Sequence, residues 1–178
     1  MERETYHHGS LRAALIEQAR ALLDEGGPEA VTLRETARRA GVSAAATYRH
    51  FRDKDSLLAA VGAEGFEQFA ERLAASVQGG RPFAEMGRAY VAFAMERPGL
   101  FRLMFSPLIQ EREAHPVMAA ASAKAFAVLQ SAASAAGAPS PIFAWALAHG
   151  LSHLMLDGVL PAAEHADILK AILGPPAT

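Results

Sequence analysis

Apolar residues recur along this chain at three- and four-residue intervals and do not alternate with polar ones over the length of a strand, a pattern that predicts helices throughout. The first helix spans about Ser10 to Glu25. Ser10 caps it, Leu11, Leu15, Ala19, Leu22 and Leu23 form its inner face, and Gly26-Gly27-Pro28 ends it. Thr32 and Glu35 stand at capping-box spacing, at the start of a short second helix whose Leu33, Ala37 and Ala40 face inward. Gly41 provides a turn, and Ser43 caps a third helix. Asp53-Lys54-Asp55 opens a longer fourth helix to about Val77, with Leu58, Val61, Phe66, Phe69 and Leu73 as its stripe. Gly79-Gly80-Arg81-Pro82 is the clearest boundary. A helix from Phe83 to Glu96 follows, then the short apolar piece LFRLMF after Pro98-Gly99, and a polar loop over Ser106–Glu113. An alanine-rich helix from about Pro116 to Ala136 breaks at Gly137-Ala138-Pro139. Two last helices cover about Pro141–Leu156 and Ala162–Leu173, ended by Gly174-Pro175-Pro176. Met1–Gly9, with Arg3, His7 and His8, has no apolar period and reads as a frayed arm, although basic arms of this kind also enter minor grooves.

The fold class is therefore all-α, without internal repeats. Within it, residues 33–51 form two short helices about a glycine turn, a helix–turn–helix. The 178 residues, half of them hydrophobic, are enough for one or two domains. A net charge of −2 argues against a protein that coats nucleic acid without selectivity. It leaves room for a local basic patch: Arg34, Arg38, Arg39, Arg49, Arg52 and Lys54 fall close together. There is no cysteine, so disulfides and thiolate metal sites are excluded. No apolar run of membrane-spanning length and no signal peptide is present, and a cytoplasmic protein is expected.

The run GVSAAATYRHFRDKDSLL places Gly41, Val42, Ser43, Tyr48, His50, Phe51, Lys54 and Leu57 where the DNA-binding signature of the TetR/AcrR family of bacterial repressors has them. The chain resembles that family from about Leu11 to Leu58. The resemblance implies a DNA-binding head over residues 1–55, including the arm 1–9, and a ligand-binding and dimerisation body over residues 56–178. It assigns phosphate contacts to Thr32, Ser43, Tyr48, His50 and Lys54, and base reading to Arg34 and to Ala44, Ala45, Ala46, Tyr48 and Arg49. The three alanines depart from the polar or glycine residues common there. Their methyls can meet only thymine methyls or the groove wall, so Arg34 and Arg49 are expected to carry guanine readout. Thr47 stands where the family usually has leucine. In the second half, RPFAEMGRAYVAFAMERPGLFRLMF and AWALAHGLSHL resemble the effector domain of a subgroup marked by Trp-x-x-x-His-Gly, here Trp145, His149 and Gly150. The function implied is a homodimeric repressor that leaves a palindromic operator when a small molecule binds. An activator is not separable from it in sequence.

The expected effector site draws on the soft and aromatic residues of the second half: Met86, Tyr90, Phe93, Phe101, Met104, Phe105, Trp145 and His149. Such a lining suits an apolar or aromatic molecule, and no cofactor is expected. Trp145, His149, His153 and Asp157 recur every four residues on one helix face, a spacing that can hold a metal. No HExxH glutamate accompanies them, and a pocket or interface seam is the plainer reading. Leu147, Leu151, Leu154, Leu160, Ile168, Leu169 and Ile172 carry more apolar surface than one helix pair buries, and a four-helix dimer interface is expected. The competing class is a helical small-molecule-binding protein or metal-dependent enzyme whose helix–turn–helix is structural. No nucleophile–base or acid pair stands at meaningful spacing, and an enzyme is not expected.

Overall fold

A computed structural model describes residues 8–77, 82–107, 114–135 and 140–175. The elements are α1 (His8–Ala30), α2 (Leu33–Arg39), α3 (Ala44–Tyr48), α4 (Lys54–Ser76), α5 (Pro82–Glu96), α6 (Pro98–Phe105), α7 (Pro116–Ala135), α8 (Pro141–Leu156) and α9 (His165–Leu173). No strand occurs among the described residues. Most of the arm, the Gly79-Gly80-Arg81 boundary, most of the 106–113 loop and the breaker at 137–139 lie outside them. None of the described helices is long and apolar enough to cross a membrane.

Local chemistry sets the helix ends. Gly27 adopts φ 71°, so α1 is interrupted where Gly-Gly-Pro stands, and Pro28 starts one further turn, in which Val31 N–H donates to Pro28 O at 3.2 Å. Thr32 Oγ1 accepts from Glu35 N–H at 3.1 Å, but the return half of the expected capping box does not form. The Glu35 carboxylate is engaged by Arg38 and Arg39 one turn on. The reciprocal box lies instead at the start of α4, where the Asp53 carboxylate accepts from Ser56 N–H at 2.8 Å and Ser56 Oγ accepts from Asp53 N–H at 3.1 Å. The last helix also differs from expectation: its start is a 3₁₀ turn, Ala162–Glu164, with α9 following.

The core runs without a break from the first helix to the eighth. Leu15, Leu23, Leu33, Phe51 and Leu57 join Phe66, Phe69, Tyr90, Phe101 and Met104 in one buried cluster. α4 is the spine, in contact with α1, α5, α6 and α7. Its crossing with α6 is close: a Cβ on Gly65 would stand 2.9 Å from Leu100 Cδ1 and from Met104 Sδ. α6 also lies against α1, since a Cβ on Gly99 would be 3.0 Å from Leu23 O. A smaller cluster of Val91, Leu151 and Met155 seats Ile168 and Leu169 of α9.

Thr47 occupies a fully buried site, and its hydroxyl has no hydrogen-bond partner among the described residues. An unpaired buried hydroxyl costs about 1 kcal/mol or more. Thr47→Val, which keeps the shape and removes the hydroxyl, is expected to raise the melting temperature by about 2–4 °C for a chain of this size. An unchanged or lower melting temperature would mean that the hydroxyl is satisfied in solution.

Candidate nucleic-acid interface and cleft of the helical body

α2, the turn and α3 form a compact corner. Gly41 takes φ 68°, and Val42 N–H donates to Ala37 O at 3.0 Å across the turn. Ser43 Oγ then caps α3 by accepting from Ala46 N–H at 3.2 Å. α3 is only five residues long, and beyond it His50 and Phe51 N–H both donate to Thr47 O. Phe51 is buried, with the Arg12 guanidinium 5.3 Å from its ring centroid, which holds the end of α3 against α1.

The residues expected at DNA are placed as follows. Thr32, Arg34, Ser43, Ala45, Tyr48 and Arg49 are exposed, while Ala44, Ala46, His50 and Lys54 are half-buried. Tyr48 shows 56% of its surface, an unusual position for an aromatic without a partner surface. The basic residues divide into two groups. Arg39 bonds Glu25 through both terminal nitrogens at 2.7 and 2.5 Å and so ties α2 to α1. Arg38 grips Glu35 at 2.8 and 2.6 Å, and these hydrogen bonds pull the Glu35 carboxyl down to about 2. Arg52 pairs with Asp53, and Lys54 Nζ stands 3.8 Å from Glu29. Arg34 and Arg49 have no ion pair among the described residues.

The body holds a cleft of about 610 Å³, open to solvent on one side and bordered by α4, α5, α6, α7 and α8. Of the eight residues expected at an effector site, Tyr90, Phe105, Trp145 and His149 line it. Met86 lines a separate space of about 20 Å³, room for about one water. Phe93, Phe101 and Met104 are buried in the surrounding core, and Phe101 stacks 5.5 Å from the His149 ring. Phe66, Phe69, Ser122 and Phe126 also line it, with Ala119, Ala123, Ala125 and Leu129 of α7, and none of these was expected at an effector site. Phe66 and Phe69 belong to a stripe that reads as ordinary core. Phe126 was the available signal, a single aromatic in a helix in which nine of twenty residues are alanine.

Three wall residues are linked. Trp145 Nε1–H donates to Tyr90 Oη at 3.1 Å, and Tyr90 Oη lies 2.9 Å from His149 Nδ1. Burial pushes the Tyr90 phenol up. Burial, and then the neighbouring His153, pull the His149 imidazole down to about 4. The four-residue column does not act as one site: Asp157 pairs with Arg102 of α6. Among the described residues no three His, Cys, Asp or Glu side chains are grouped to hold a metal.

The outer face of α8 is apolar and exposed. Phe143, Ala146, Gly150 and Leu154 form an exposed row, and Ile142 and Ile172 add to it. Leu151, one of the residues expected at a dimer interface, is instead buried within the protomer.

A helix–turn–helix sharing one core with a helical body that holds a large cleft defines a ligand-binding DNA-binding regulator. The chain belongs to the TetR family of bacterial transcriptional regulators: residues 15–61 match the bacterial regulatory proteins of the tetR family, and residues 83–173 match the tetracyclin repressor-like C-terminal domain. It is similar over 96% of its length, and 95% of the other chain, to a protein of unknown function from Rhodococcus sp. RHA1, at 31% identity and a TM-score of 0.80. A TetR transcriptional regulator from the same organism shares the fold at 18% identity, 94% and 96% coverage and a TM-score of 0.64. The multidrug binding protein EbrR, complexed with imidazole, does so at 21% identity, 94% and 97% coverage and a TM-score of 0.58. No curated protein matches the chain.

The lowered His149 value has a consequence for stability. Above about 6.5 the imidazole is neutral in both folded and unfolded chains; as pH falls from 6.5 towards 4 only the unfolded chain takes the proton, and stability drops. In urea titrations, the midpoint difference between the parent and His149→Gln is expected to shrink as pH is lowered from about 7 to about 5. A constant difference would mean that His149 titrates normally in the fold.

Proposed function

We propose that this regulator is a repressor: a homodimer that binds a palindromic operator in the cytoplasm and is released from it when an apolar or aromatic molecule enters the 610 Å³ cavity. Residues 1–55 serve as the DNA-binding head and residues 56–178 as the ligand-binding and dimerisation body. The observation that carries the reading is the pair of arginines left without acidic partners on the exposed corner, beside the exposed Tyr48. Arg34 and Arg49 read guanine, the alanine methyls of α3 touch thymine methyls, and Thr32, Ser43, Tyr48, His50 and Lys54 hold phosphates. The row Phe143, Ala146, Gly150 and Leu154 supports pairing of α8 and α9 with a second copy. Gly150 has no neighbour within 4 Å of where a Cβ would stand, which leaves room for a close helix crossing. Trp145, His149 and Gly150 have the spacing of the Trp-x-x-x-His-Gly motif, which supports reading the chain as a member of that subgroup.

Fluorescence anisotropy with the DNA flanking the protein's own gene, against a scrambled duplex over a salt series, tests the regulator reading. Tight binding to the native fragment alone with a steep salt slope is expected; equal weak binding to both would sink it. Arg34→Ala and Arg49→Ala are each expected to reduce the preference for the operator by about tenfold or more. Arg38→Ala, which removes an arginine already held by Glu35, is expected to change it little. If the first two weakened both duplexes equally, they would be phosphate contacts. Phe143→Glu combined with Leu154→Glu is expected to yield monomers in light scattering and to abolish operator binding; an intact dimer would place the interface elsewhere.

A further inference from the structure

The reading of the cavity as the effector site leaves the chemistry of its occupant open, and the wall residues narrow it. Among the described residues no Asp, Glu, Lys or Arg lines the cleft. Among those residues a cation meets no counter-charge to offset the water it gives up against the aromatic wall, and an anion meets no positive charge, because burial keeps the His149 imidazole neutral near pH 7. The wall is aromatic on several sides: Phe66 meets Phe105 edge-on at 5.5 Å, and Phe126 meets Trp145 at 5.9 Å. Such faces favour flat rings.

The polar groups set one further requirement. An indole N–H only donates, so Tyr90 Oη accepts from Trp145. Tyr90 remains a phenol, and its proton then goes to His149 Nδ1; the reverse assignment would leave a buried phenol proton without an acceptor. Nδ1 is therefore the acceptor of the neutral ring, and the ring proton sits on Nε2. That Nε2 has no hydrogen-bond partner among the described residues, and His149 lines the cavity. Ser122, on α7, adds a hydroxyl that donates or accepts and so does not discriminate.

We propose that the cavity selects an uncharged, flat aromatic molecule bearing a hydrogen-bond acceptor, an aryl ketone or a close equivalent, with its oxygen on the His149 Nε2–H. Tyr90 and Trp145 are positioning residues: they set the tautomer that makes His149 a donor.

The chain has one tryptophan, and it stands in the cavity wall, so its fluorescence reports occupancy directly. The probes are 9-fluorenone, its hydrocarbon counterpart fluorene, and the cation proflavin, titrated into the full-length protein. Fluorenone is expected to quench Trp145 and bind about tenfold more tightly than fluorene, with proflavin weaker than either. His149→Phe is expected to bring fluorenone and fluorene to the same affinity while fluorene binding persists, which shows that the variant keeps its cavity. Nitrogen-15 NMR of the parent is expected to show His149 with Nδ1 unprotonated and Nε2 protonated, and Tyr90→Phe to lose that single tautomer. Equal affinities for the three probes, quenching by none of them, or a proton on Nδ1 would overturn the proposal. Fluorenone binding that leaves the operator complex intact would instead refute the effector reading of the cavity and leave the ligand class standing.

Discussion

Everything in this molecule depends on one helix being apolar along nearly its whole length. α4 buries Leu57 and Leu58 at its start, Phe66 and Phe69 in its middle and Leu73 near its end. The first two pack in the core that seats the helix–turn–helix, and the phenylalanines form part of the cavity wall. Close packing leaves no slack between those tasks, because interiors near crystal density shift as units. The Gly65 crossing tightens this further, since α6 approaches α4 more closely than a side chain would allow and carries Phe105 into the same cavity. An occupant that widened the cavity would press on the rod that holds the head, and its differential affinity for the two arrangements is all the energy available to move them.

The DNA end depends on which charges are already spent. Six basic residues lie near one another in sequence, yet Arg38, Arg39 and Arg52 are held by Glu35, Glu25 and Asp53. Exposed pairs of this type contribute little stability, but they fix side chains and cancel local field. Arg39 does so structurally, by joining the end of α1 to α2. Arg34, in α2, and Arg49, just after α3, lie outside that mesh, and within α3 the exposed residues are Ala45 and Tyr48.

Much of the fold was legible in sequence because its signals are local. A three-to-four residue period, a side-chain oxygen before a helix, and Gly41 at a turn each act over a few residues, and the helix limits they imply agree with the structure to within a residue or two in most cases. Failures came where two local signals competed. Thr32 and Glu35 have capping-box spacing, but two arginines a turn away outbid the backbone for the carboxylate. Asp53 and Ser56 form the reciprocal box although serine is not the residue usually sought at that position.

The cavity was only half legible for a different reason. A phenylalanine on the inner stripe of a helix has the same spacing whether it faces a neighbour or an empty space, so Phe66 and Phe69 read as core while Phe101 and Met104 read as wall. What separates them is the volume left when α7 brings alanines to the meeting point, a property of five helices together. The hydrogen-bond chain from Trp145 through Tyr90 to His149 likewise spans residues 55 and 59 positions apart. By itself, then, the sequence determined the helices, their caps, the turn and the family to which they belong, because each is written within a few residues. Which arginines stay outside the ion pairs, which aromatics face the cleft and which side chains His149 meets were decided only by the tertiary structure, because each depends on partners distant in the chain competing for the same atom or the same space.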